Sequence, residues 1–169
     1  MFLNKRYAQA SVAFLRAGRK REAAICDAYL SREKARSTPT ISSAARAQAF
    51  IDAAEAFVTC AQECPSKQIS ERLAYYGTAG ECYYEARVLK KAGDNYRMAG
   101  QYAAAGRTYR EGGYFEDLVE VITQHASAID GGLLERLTKV AQMYYFKVCF
   151  GNCPFSNTCL IAFGSAHGR

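Results

Sequence analysis

RVLKKAGDNYRMA (87–99), GQYAAAGRTYREG (100–112) and GYFEDLVEVITQH (113–125) are successive 13-residue units, and their alignment decides the fold. Val88 and Leu89, Gln101 and Tyr102, and Tyr114 and Phe115 share one column. Ala92, Ala105 and Leu118 share a second, and Tyr96, Tyr109 and Ile122 a third. Within each unit the buried-type positions stand four apart, which is helix spacing. A Gly ends or follows the first two units, where a short helix needs a residue tolerant of positive φ. A helix of about ten residues cannot bury its apolar face alone and must stack on its neighbours. The predicted fold is therefore all-α, with short antiparallel helix hairpins stacked as an α-solenoid.

The remaining chain divides in the same way. Leu3, Tyr7, Ala10, Phe14 and Ala17 form a stripe along a helix over 2–17, which Gly18 ends. Residues 19–36 give a second helix with Ala24, Ile25, Ala28 and Tyr29 inward. Pro39 breaks the chain, and Ser42 or Ser43 caps a third helix that carries Ala47, Phe50, Ile51, Ala54, Phe57, Val58 and Ala61 on one side. That helix stops before Pro65. A fourth, over 66–86, aligns Ile69, Leu73, Tyr76, Ala79 and Tyr83. Gly77 and Gly80 lie inside it, where each costs about 1 kcal/mol against Ala, and are expected to admit an aromatic ring from a facing helix. Asp130 caps a last helix with Leu133, Leu137, Val140 and Tyr144 in line. Residues 1–146 read as the helical-repeat domain, a piece of a larger protein, and 147–169 as a non-repeat tail.

Charge is unevenly placed. The net charge is +6, but residues 1–46 hold ten Lys or Arg against three acids, whereas 47–146 hold ten against thirteen. A basic end steers toward acidic partners or nucleic acid; a solvated helix face is the plainer reading. No apolar run approaches the ~18–20 residues of a membrane span, and MFLNKRYAQA lacks a signal-peptide core. The expected location is intracellular, cytoplasmic or nuclear, with no membrane association. Cys26, Cys60, Cys64 and Cys82 fall within helical patterns and are expected to remain buried thiols.

FLRAGR (14–19), YYEAR (83–87) and YREGGYFEDL (109–118) resemble tetratricopeptide repeats, with small residues at helix contacts and an aromatic filling the next gap. A standard unit has about 34 residues, whereas a helix pair here takes 26. Over 7–146 the order AGRKREAAICDAYLSREKAR, AAEAFVTCA, ERLAYYGTAGECYYEA, AAGRTYREGGYFEDLVEVI and LLERLTKVAQMYYFK is similar to the helical region of large fungal tetratricopeptide- and ankyrin-repeat-containing, helicase-like proteins. The resemblance implies a tetratricopeptide-like solenoid belonging to a larger helicase-like chain.

No residue set points to catalysis. A GxxxxGK[ST] phosphate loop is absent, and Gly112-Gly113 and Gly131-Gly132 read as turns. His125 closes a helix, where a cation suits the dipole. Glu81 and Glu85, with Lys90 and Lys91 nearby, read as surface charge. HExxH and DxDxDG strings are also absent. In the tail, Cys149, Cys153, Cys159 and His167 make a loose C-x3-C-x5-C-x7-H set. Lys147-Val-Cys149 can be encoded by AAG followed by GTATGT, a donor-site sequence. Intron read-through, a disordered natural tail and a zinc site are the three readings of this segment.

The expectation is a non-catalytic scaffold for protein–protein interaction, with no catalytic, cofactor-binding or metal site, no cofactor, and a binding site not located. The alternative is a nucleic-acid-contacting accessory region in which Arg16, Arg19, Lys20, Arg21, Arg32, Lys34 and Arg36 of the first helix pair face phosphates. Exposure of Val140, Tyr144, Tyr145 and Phe146 on the last helix would make the isolated chain self-associate.

Overall fold

A computed structural model describes residues 2–39 and 43–152, and the side chains of 6–39 and 43–146. The described residues form eight α-helices and no strand: α1 (Phe2–Arg16), α2 (Lys20–Ser37), α3 (Ser43–Gln62), α4 (Ile69–Glu85), α5 (Leu89–Met98), α6 (Tyr102–Gly112), α7 (Phe115–His125) and α8 (Gly131–Asn152). A single 3-10 turn at Ala126–Ala128 links the last two. Each helix packs against the next in sequence, and α6 also touches α8. Among the described residues, no helix is long and apolar enough to cross a membrane.

One turn is used four times. Gly18, Arg87, Gly100 and Gly113 have φ of +72°, +62°, +72° and +75°. The next N–H reaches back to the last turn of the helix: Arg19 to Phe14, Val88 to Tyr83, Gln101 to Tyr96 and Tyr114 to Tyr109, at 2.8–2.9 Å. This satisfies carbonyls that a helix C-terminus would otherwise leave open. The residue that follows then enters the next helix with nearly constant geometry, φ,ψ of −89°,67° at Val88, −90°,61° at Gln101 and −85°,69° at Tyr114. The 13-residue period is thus a helix of ten or eleven residues plus this turn.

Packing follows the same period. Ala92, Ala105 and Leu118 are fully buried, and Tyr96, Tyr109 and Ile122 are buried beside them. Tyr75, Tyr76, Ala79 and Tyr83 occupy the same columns, so the repeat extends one unit further upstream than the sequence reading takes it. Gly80, Gly93 and Gly106, also 13 apart, are notches. A Cβ at Gly80 would lie 2.8 Å from Tyr96 Cδ1, and one at Gly93 2.6 Å from Tyr109 Cδ1. At Gly106 the notch is filled instead by Leu137 of α8. Gly80 meets a ring as expected, but Gly77 faces the Gln101 amide.

A polar network fixes the repeat units laterally. The buried Tyr109 hydroxyl donates to Asp94 Oδ1 at 2.7 Å, and Lys90 bonds both Asp94 and Asp117. Arg97 pairs with Glu120 at 2.8 Å. Burial and the Asp94 carboxylate together push the Tyr109 phenol well up from its ordinary value. In the first half, Tyr7 stacks on Tyr29 at 5.4 Å and Tyr29 meets Phe57 edge-on at 5.0 Å, joining α1, α2 and α3. Ala28, Ala35, Ala53, Ala54 and Ala61 bring α2 and α3 close.

Several expectations are corrected. Ala24 is exposed, and Ala23, Ala28 and Ala35 carry the buried side of α2. Ile69 and Leu73 are exposed, and the buried face of α4 begins at Tyr75. Gly131 and Gly132 open α8, whose start is fixed by Asp130 Oδ2 accepting the Leu133 N–H at 3.1 Å. The backbone of α8 continues past Lys147 to Asn152. On that helix Tyr144 stacks on Phe115 at 4.3 Å, and Val140 and Tyr145 are half-buried, so exposure falls to Met143 and Phe146. Cys153, Cys159 and His167 lie outside the described residues, as does the side chain of Cys149.

Candidate binding groove

A cavity with a strongly charged lining lies where α2, α3 and α4 meet. Arg32 and Arg36 stand one turn apart near the end of α2, so they share a face. The Arg32 guanidinium lies over the Tyr29 and Phe57 rings at 5.1 and 5.9 Å, and its Nε is buried without a hydrogen-bond partner. Arg36 donates to Glu33 at 3.0 Å. On α3, Arg46 and Phe50 are likewise one turn apart, with the guanidinium over the ring at 5.5 Å. Glu81 and Glu85 project from α4 with Cys82 between them.

These groups line a cavity of about 370 Å³: Arg32, Arg36, Arg46, Phe50, Glu81, Cys82 and Glu85. A neighbouring depression of about 490 Å³ is lined by Ser43, Ala44, Arg46, Ala47, Glu85, Ala86 and Arg87. Arg46 and Glu85 line both, at 3.9 Å from each other, so the two form one groove with a loose ion pair across its middle. At the far end Arg87 pairs with Glu111 at 2.6 Å, and the Tyr84 hydroxyl donates to the other Glu111 oxygen at 2.7 Å. The Tyr84 hydroxyl and the Arg87 guanidinium together hold the Glu111 carboxyl below its ordinary range.

Comparison with known families, with curated proteins and with solved structures finds no match.

The groove therefore has to be read from its own chemistry. It holds no activated nucleophile: burial pushes the Cys82 thiol up to about 11, so it stays protonated near neutrality. Burial also raises Cys26 and Cys60. The described residues contain no group of three or more His, Cys, Asp and Glu positioned to hold a metal ion. His125 closes α7, with its ring stacked on Tyr102 at 3.7 Å.

The basic residues of the first helix pair do not form one surface. Arg19 is paired with Glu22 at 2.8 Å and lies over Phe14, and Arg21 is tied across to Glu71 at 3.0 Å. Arg16, Lys20 and Lys34 are exposed but line neither part of the groove. Only Arg32 and Arg36 enter it, where Arg46 and Arg87 join them. Glu81 and Glu85 are not simply charges beside Lys90 and Lys91: Lys91 pairs with Glu55, Lys90 with Asp94 and Asp117, and the two glutamates face the arginines. Arg46 was not distinguishable in sequence from any surface arginine. Arg87 was, because it occupies the column that holds Gly100 and Gly113 in the next two units.

Proposed function

We propose that this chain is a non-catalytic scaffold, a tetratricopeptide-like α-solenoid of helix hairpins that binds protein partners through the groove between α2, α3 and α4. The observation that carries this reading is the groove itself, a concavity whose lining combines charged side chains with the apolar residues Ala44, Ala47, Phe50 and Ala86. Extended grooves of this kind accommodate a peptide without a buried reaction centre. The single turn used four times supports the solenoid, since a constant link between helices generates a regular stack. Membership in a larger helicase-like protein, and nucleic-acid contact by the basic first helices, are secondary readings; the ion pairs at Arg19 and Arg21 leave the second with less free charge.

A photo-crosslinking amino acid placed at Ala44, in the groove, and separately at Gln142, on exposed α8, tests this in cells that express the chain. Adducts are expected from position 44 and not from 142, and they should be destroyed by protease and survive nuclease. Nuclease-sensitive adducts, or equal labelling from both positions, would contradict the scaffold.

A further inference from the structure

We infer that the outer face of α1 is a second docking surface, separate from the groove above, and that its occupant is an amphipathic helix of a protein partner with acidic residues beside its apolar stripe. The first observation is which side of α1 the fold uses. Tyr7, Ser11 and Phe14 stand four and three residues apart, so they share one side of the helix. That side packs on α2, with Ser11 buried and the Tyr7 ring stacked on Tyr29. One residue further round, Ala8, Val12 and Leu15 make a second row with the same spacing, and there Val12 is 48% and Leu15 55% exposed. Contiguous apolar rows left in water mark interaction sites.

The second observation is shape. Between that row and the next, Gln9, Ala13 and Arg16, lies a depression of about 410 Å³ lined by Ala8, Gln9, Val12, Ala13 and Arg16. A furrow between two such rows is where a ridge of another helix packs. The alanines deepen it, as Ala28, Ala35, Ala53, Ala54 and Ala61 do where α2 meets α3. A concave furrow is filled by the ridge of a helix and not by the flat face of a bilayer.

The third observation is charge. Residues 1–21 hold six Lys or Arg and no acid. Glu22 and Glu71 pair with Arg19 and Arg21. Arg16, which lines the depression, and Lys20, at the start of α2, are exposed and have no carboxylate partner among the described residues. The face therefore stays positive after its ion pairs are counted. Two copies meeting through α1 would bring like charges together, and α8 offers no complement, since Glu135 there is already paired with Lys139. A phosphodiester backbone would leave the apolar row uncovered. Acids flanking an apolar stripe satisfy both features.

Selection of phage-displayed helical peptides of about 18 residues, five turns, on the purified full chain tests the inference, with fluorescence anisotropy of the recovered peptides. Those peptides should carry apolar residues at i, i+4 and i+7 with Asp or Glu beside them. Val12→Gln combined with Leu15→Gln should weaken binding about tenfold or more, as loss of apolar anchors does. Both positions are exposed and glutamine is a good helix former, so Tm should stay within about 2 °C. Arg16→Glu should weaken the same peptides about threefold to tenfold, and changing their acids to Lys should restore binding. Met143→Gln, on the exposed side of α8, should change nothing. Peptides without acidic bias, peptides indifferent to the α1 substitutions, or recovery of none would overturn the inference. So would an effect of the double substitution confined to self-association in light scattering or to co-sedimentation with phosphatidylserine vesicles. Crosslinking from Ala44 does not depend on α1, so the groove and this face can fail separately.

Discussion

Replacing Tyr109 with alanine should lower stability by about 3–5 kcal/mol in urea unfolding, the range for truncation of a fully buried aromatic. The ring has no exposed surface and is the largest fully buried side chain among the described residues. It fills the notch over Gly93, and its hydroxyl holds Asp94, which in turn shares Lys90 with Asp117. Removing it opens a cavity between α5 and α6 and leaves Asp94 to Lys90 alone. Tyr109→Phe separates the two effects: it keeps the ring and should cost about 1–2 kcal/mol for the lost hydrogen bond. Equal losses in the two variants would mean that the ring is not packed as described.

Gly93→Val should be nearly as damaging, by about 3 kcal/mol. Glycine inside an exposed helix is a weakness, and a larger residue there would be stabilising by up to about 1 kcal/mol. Here the sign reverses, because a Cβ would enter the Tyr109 ring, and that ring is pinned by the 2.7 Å bond from its hydroxyl to Asp94. Gly100→Ala is a useful contrast. Nothing lies within 4 Å of its Cβ position, so its loss reflects backbone strain at φ +72° alone, about 1–2 kcal/mol. If Gly93→Val were milder than Gly100→Ala, the notch would not be a tight contact.

The helical class and the repeat were legible because they are written in short-range pattern. Columns of Ala, Tyr and Leu at a fixed period define which side of each helix is inward, and the burial of Ala92, Ala105, Leu118 and Tyr109 follows from that alone. The unit at 74–86 escaped alignment because its first turns lie in the longer α4, which blurs the boundary that glycine marks elsewhere. Ala24 was misplaced because a run of two alanines gives no phase; the difference between Ala23 and Ala24 is one of 100° around the axis. Tyr144 was assigned to an open face because its partner, Phe115, is 29 residues away.

The groove was less legible, for a physical reason. Its residues come from three helices, and which charges meet depends on how those helices pack, which no local pattern specifies. Arg32 and Arg36 could be seen as basic but not as separate from Lys34, which points elsewhere. Glu81 and Glu85 could be seen as a pair but not as facing arginines. Arg87 alone left a local trace, a charged residue in a glycine column.

The stacking of α4, α5 and α6 rests on a contact made twice, a glycine of one helix against a ring of the next, and a double-mutant cycle tests it most directly. Urea unfolding of Gly93→Ala, Tyr109→Leu and the double variant gives the coupling between the two positions. Gly93→Ala alone should destabilise, by about 1–3 kcal/mol less its gain in helix propensity. With Tyr109 reduced to leucine the same change should become neutral or stabilising, giving a coupling of about 1–2 kcal/mol. Additive effects, within about 0.5 kcal/mol, would show that the two residues do not meet and would contradict the stacking of α5 on α6.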